Sequence, residues 1–148
     1  EWRLLHLLYS EGFPVPRPVA AAFSPATGFY RADLITEFLD ETKTLAELLS
    51  SRFLPIEQWH KVGECIARFH QRGVFHADLN AHNLLLASDG EVYVLDFDKG
   101  EIRSRGSWCD ANISRLHRSL VKLAGQRDVF AFDEESWASF LNGYRRLT

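Results

Sequence analysis

The chain has 148 residues, 46% of them hydrophobic, with two cysteines, no methionine, and 17 Lys plus Arg set against 20 Asp plus Glu, a net charge of −3. That length supports one core burying roughly 68 to 70% of the unfolded surface, and the near-average composition excludes a disordered tail, a collagen-like repeat and a disulfide-dense mini-protein. Apolar runs such as 4–9 and 19–23 fall far short of the roughly 20 residues that span a bilayer, no signal peptide is expected, and Cys65 and Cys109 show no CxxC spacing, so the cytoplasm is the expected compartment.

In chain order, Glu1 to Ser10 carries a helical stripe of Leu4, Leu5, Leu8 and Tyr9. No N-cap precedes it, so the element is expected to begin upstream. Gly12 should stop this helix, and Pro14, Pro16 and Pro18 force an extended connection. Val19 to Phe23 and Phe29 to Phe38 read as two strands, with Ser24 to Gly28 as their turn. Thr44-Leu45-Ala46-Glu47 is a capping box that opens a short helix to about Ser51. Pro55 takes the first position of the longest helix, in which Ile56, Trp59, Val62, Ile66 and Phe69 keep helical spacing until Gly73.

Asn83 to Ala87 and Glu91 to Phe97 look like paired strands around the turn Ser88-Asp89-Gly90. Ile113, Leu116, Leu120 and Leu123 stripe a helix ending at Gly125, and Trp137, Phe140, Leu141 and Tyr144 stripe another capped by Asp133. Trp59, Phe69, Trp137 and Phe140 are expected in the core, Cys65 as a buried apolar residue, and His70 and His82 as structural or solvent-facing. Charge is uneven: residues 1–98 carry 8 basic and 14 acidic side chains, whereas 99–127 carry 7 basic and 2 acidic. The basic stretch is either a solvated helix face or an anion-attracting surface.

The densest cluster of polar ligand-type residues is His76-Ala77-Asp78-Leu79-Asn80-Ala81-His82-Asn83. Asp78 and Asn83, five residues apart at the start of a hairpin, can place a carboxylate at a substrate hydroxyl and an amide oxygen at a metal. Phosphoryl transfer needs both, because positioning and charge neutralisation do most of its catalysis. A third oxygen ligand should follow on the partner strand, where Asp96 ends an apolar run 18 residues after Asp78. Mg²⁺, a hard cation, suits an Asn83 and Asp96 pair. A competing constellation is His76, Asp78 and the distant His117 as the facial triad of a non-haem iron oxygenase.

His76-x-Asp78-x-x-x-x-Asn83 resembles the protein-kinase catalytic loop H-R-D-L-x-x-x-N, and Asp96-Phe97-Asp98 resembles D-F-G. The chain therefore resembles the protein kinase-like fold. The resemblance implies an α+β architecture, mainly the helical C-terminal lobe with a few leading strands and a catalytic β-hairpin. Residues 1–40 would end the N-lobe with a helix, strands and hinge, and 41–148 would form the C-lobe, with the catalytic loop at 76–83 and the metal motif at 96–98. By resemblance Asp78 is the base, His76 braces the loop, and Asn83 and Asp96 hold Mg²⁺. Glu37, Phe38 and Leu39 resemble the hinge whose backbone meets adenine. No glycine-rich loop or its Lys occurs, so both are expected upstream of Glu1. Glu1 itself is either the helix Glu that pairs with that Lys or a solvated side chain.

Ala77 replaces the Arg that pairs with a phosphorylated activation loop, Asp98 replaces the Gly of D-F-G, and Asn80 stands where Ser/Thr kinases carry Lys. These departures point to a small-molecule kinase. The string 76–86, then 94–100, with 12–19 upstream, resembles the bacterial 3-deoxy-D-manno-octulosonic acid (Kdo) kinase family. That resemblance implies transfer of the ATP γ-phosphate to a Kdo hydroxyl on a lipid A precursor, at the cytoplasmic face of the inner membrane, with peripheral membrane contact and no nucleic acid partner. Lys99, Arg103, Arg105, Arg115 and Arg118 would meet this polyanionic lipid. The alternatives within the fold are a heptose or aminoglycoside phosphotransferase and a kinase-like binding module without catalysis.

Overall fold

A computed structural model describes residues 1–26 and 29–148; Thr27 and Gly28, in the expected Ser24 to Gly28 turn, lie outside the described residues. Helix α1 (Trp2–Ser10) buries Leu5 and Leu8, and Gly12 follows it at φ +74°, the left-handed conformation a helix stop uses. Strands β1 (Pro18–Ala26) and β2 (Phe29–Thr36) pair antiparallel, with Ala22 opposite Asp33. β1 extends to Ala26, past its expected end at Phe23. β2 stops two residues before the expected Phe38, because the Glu37 N–H, bonded to Arg17 O at 2.9 Å, is the last to find a partner across the ribbon.

Strand β3 (Thr42–Thr44), which no periodicity announced, leads into α2 (Leu45–Leu49). The capping box forms as expected: Thr44 Oγ1 accepts the Glu47 N–H at 3.1 Å, and Glu47 Oε2 accepts the Thr44 N–H at 2.8 Å. Those bonds hold the Glu47 carboxyl below its usual range. Helix α3 (Ile56–Gln71) buries Trp59, Val62, Ile66 and Phe69. Pro55 is its N-cap in an extended conformation, so the helix starts one residue later than expected, and Ile56 is exposed. Cys65 is buried, with its thiol pushed up to about 12 by that burial.

Strand β4 (Val74–Phe75) pairs with β7 (Glu101–Ile102), and β5 (Leu84–Ala87) sits between β3 and β6 (Val92–Val94). The β4–β7 pair, continued by Arg103 N–H donating to Gly73 O at 2.7 Å, fastens together the two ends of segment 76–100. Helix α4 (Trp108–Gln126) runs one residue past Gly125, since an unstrained glycine permits a stop without imposing one. Helix α5 (Glu134–Arg145) is capped by Asp133, whose Oδ1 accepts the Ser136 N–H at 2.8 Å. α3 and α5 cross backbone against backbone. A Cβ on Gly63 would meet Phe140 O and Tyr144 N, and one on Gly143 would meet His60 backbone. Among the described residues the architecture is thus α+β, with helices around three small antiparallel sheets. Among the described residues, no helix is long and apolar enough to cross a membrane.

Candidate active site

His76 leaves β4 nearly buried, and its ring joins two chain segments. Nδ1 lies 3.1 Å from the Asp78 N–H and accepts from it, so the other nitrogen carries the hydrogen and donates to Leu95 O at 2.8 Å. Burial lowers the pKa of His76, which favours this neutral tautomer. Its backbone is clamped as well: Asn112 of α4, 2% exposed, accepts the His76 N–H at 3.2 Å and donates to the His76 C=O at 2.9 Å. Both ring nitrogens are therefore engaged within the protein. His117 packs instead on Trp137 at 4.5 Å, and no metal-holding group of three His, Cys, Asp or Glu occurs among the described residues. The iron triad is thereby overturned.

Asp78 stands at the surface of the loop, with its side chain 61% exposed. Oδ2 accepts from the Asn80 amide at 3.0 Å, and Arg115 Nη1 lies 3.7 Å from Oδ1. The Asn83 amide donates to Asp78 O at 3.0 Å, and its Oδ1 has no hydrogen-bond partner among the described residues. The Asn83 C=O accepts the Leu95 N–H at 2.9 Å, so the residue before Asp96 is paired directly to Asn83. β6 ends at Val94, and Asp96 adopts φ +62°. This left-handed turn buries Phe97, 1% exposed, and leaves the Asp96 carboxylate in solvent, where Oδ1 accepts the Asp98 N–H at 3.2 Å.

An amide oxygen and a carboxylate on neighbouring chain segments make a hard-oxygen pair. Mg²⁺ commonly takes one or two such protein ligands and fills its octahedron with phosphate oxygens and water. The residues present fit that ion. Asp96 also lines a cavity of about 200 Å³ with Glu1, Leu34 and Thr36, next to the end of β2. Burial and the facing Asp96 raise the pKa of Glu1. Larger cavities of about 640 Å³ beside Arg105 and about 590 Å³ beside Lys43 contain none of these polar groups.

The remaining expected contacts are dispersed. Glu37 pairs with Arg17 at 3.2 Å, Phe38 is 82% exposed, and Leu39 O accepts from Thr42 Oγ1 at 2.8 Å. Arg115 reaches Asp78, whereas Arg103 is committed to Glu101 and to the Phe75 ring, 3.6 Å away. Arg105 lies beside Tyr144 at the α4–α5 cavity, and Lys99 and Arg118 are exposed. The sequence reading missed Asn112 and Ser119, whose Oγ accepts the Ala81 N–H at 3.3 Å, and gave Asn80 no bond to Asp78. Asn112 had a signal: it shares the buried face of α4 with Ile113, Leu116 and Leu120, and a polar side chain there requires partners.

The model of the lipopolysaccharide kinase (Kdo/WaaP) family matches residues 1–144. The chain belongs to this family. Similar relatives carry the name 3-deoxy-D-manno-octulosonic acid kinase. The one from Mannheimia succiniciproducens is 40% identical over 98% of this chain and 62% of its own length. That from Photobacterium profundum is 42% identical over 97% of this chain and 61% of its own, and that from Xanthomonas axonopodis pv. citri 44% over 91% and 54%. This Kdo/WaaP chain therefore spans between about half and three fifths of the length of these relatives.

Proposed function

We propose that the protein carrying this chain transfers the γ-phosphate of ATP to a hydroxyl of Kdo on a lipid A precursor. Family membership and the relatives' names support this reading. The observation that carries it is the Leu95 N–H to Asn83 C=O bond, which pairs Asn83 with the residue before Asp96, while the Asn83 amide donates to Asp78 O in the same loop. In this reading residues 1–40 end the N-lobe of a protein kinase-like fold, residues 41–148 form its C-lobe, and the backbone of Glu37, Phe38 and Leu39 meets adenine.

Asn83 and Asp96 hold Mg²⁺, which when bound neutralises phosphate charge. Asp78 orients the acceptor hydroxyl. As that oxygen bonds to the γ-phosphorus, the bond to the bridging oxygen breaks, ADP leaves with it, and the hydroxyl proton passes to Asp78. His76 cannot shuttle the proton, because both its nitrogens are engaged; it holds the Asp78 backbone in place. Of the five basic residues expected to meet the anionic lipid, Lys99, Arg115 and Arg118 do so in this reading, with the protein peripheral on the cytoplasmic face of the inner membrane.

The test follows labelled γ-phosphate from Mg-ATP onto a Kdo-bearing lipid A precursor, using the full-length protein. Asp78→Asn should lower turnover by about 10²- to 10⁴-fold, the range of a lost general base. Undiminished transfer by Asp78→Asn would remove Asp78 from its role. ATP binding without transfer to the Kdo lipid would move the reading to another sugar acceptor.

A further inference from the structure

The two carboxylate oxygens of Asp78 are held differently. Oδ2 accepts the Asn80 amide at 3.0 Å, whereas Oδ1 faces Arg115 Nη1 at 3.7 Å, too far for a hydrogen bond. Oδ1 is therefore the oxygen open to an incoming hydroxyl. A hydroxyl seated there lies within about one sugar ring of the Arg115 guanidinium, which makes no hydrogen bond to any described residue. Five donors in a fixed plane fit a carboxylate with two parallel bonds, a geometry Lys does not offer.

Stability does not account for this arginine. An ion pair whose members are 48% and 61% exposed contributes little to stability, and the loop is already held by Asn112, Ser119 and the His76 ring. The surroundings also need a cation. Asp78 is an exposed carboxylate, and an acidic sugar approaching it would be repelled. Arg103, in the same basic stretch, is taken by Glu101 and Phe75.

We propose that Arg115 determines acceptor specificity: it binds the carboxylate of the sugar acid whose hydroxyl Asp78 receives. This assignment rests on the Kdo-phosphorylating reading above. Arg115 then stands between two carboxylates, that of Asp78 and that of the acceptor, and cancels their repulsion. A neutral sugar of the same shape gains nothing from it.

The experiment measures kcat/KM of the full-length protein for a methyl glycoside of Kdo and for its carboxamide, which keeps the ring and hydroxyls and removes the charge. The wild type should prefer the acid by about 10- to 100-fold, the range for a charge-assisted bidentate pair. In Arg115→Ala that preference should fall toward one while KM for ATP holds, and Arg115→Lys should restore part of it. A preference that survives in Arg115→Ala overturns the assignment alone. Absence of transfer by the wild type to either acceptor overturns the functional reading and the assignment with it.

Discussion

Replacing Asn112 by Ala should damage stability and turnover together. Asn112 is 2% exposed and His76 4%, so deleting the amide leaves the His76 N–H and C=O buried without partners. Each orphaned group costs about 1 to 3 kcal/mol, together about 2 to 6 kcal/mol, against a total stability on the order of 5 to 15 kcal/mol. The chemical effect follows from the same release. His76 Nδ1 positions the Asp78 N–H, and a displacement of about 1 Å at a reacting group costs about 10²-fold in rate. Urea unfolding of the full-length protein reads the first effect, and kcat beside KM for ATP reads the second, with kcat expected to carry the loss. Asn112→Asp keeps an acceptor for the His76 N–H but loses the donor to its C=O, and should fall between wild type and Ala. Destabilisation below about 0.5 kcal/mol, or full turnover in a clearly destabilised variant, would refute the clamp.

Three further outcomes follow from the geometry. Asn83→Ala and Asp96→Ala should each raise the Mg²⁺ concentration needed for half-maximal rate, and an unchanged metal titration would remove them as ligands. Burial pulls His70 down to about 4, while Tyr144 Oη stands 2.8 Å from its Nδ1. The unfolded chain takes up a proton near pH 6.5 that the native state refuses, so about 3 kcal/mol of stability present above pH 6.5 should be lost progressively toward pH 4. Denaturation midpoints across that range test this, and an identical slope in His70→Gln would contradict it. Gly63→Ala should destabilise by about 1 to 3 kcal/mol, because its Cβ meets α5 backbone, whereas Gly125→Ala has open space and should stabilise α4 by about 0.5 to 1 kcal/mol. Equal melting temperatures for the two variants would refute the close crossing.

What was legible in the sequence was local. The Thr44 box, the Asp133 cap, the Gly12 stop and the hairpin around Ser88 to Gly90 each rest on residues a few positions apart, and all are present. The spacing of Asp78, Asn83 and Asp96 was readable for the same reason: a hairpin joins them, and its register returns Leu95 to Asn83. The strands β3, β4 and β7 were not readable. They are two or three residues long, too short for a period, and exist because partners such as Leu86 for Lys43 and Ile102 for Val74 lie far along the chain. The charge excess after residue 98 marked a stretch of chain without ranking its members. Arg103 and Arg115 differ only in what folding brings near them, an aromatic ring and Glu101 in one case and Asp78 in the other.

The ring of His76 has a consequence for motion. Through it the backbone at Asp78 and the backbone at Leu95 are joined by two hydrogen bonds across a rigid five-membered plane. The separation between the segment bearing Asp78 and the segment bearing Asp96 is thus set by the width of an imidazole, which does not stretch, rather than by rotamers, which do interconvert. Thermal displacements of the two segments should be correlated, and breathing of the β1–β2 ribbon should carry past them as past one body. Variation at the surface positions of the loop, such as Ala77 and His82, can then retune what approaches the site without changing the distance between its two halves.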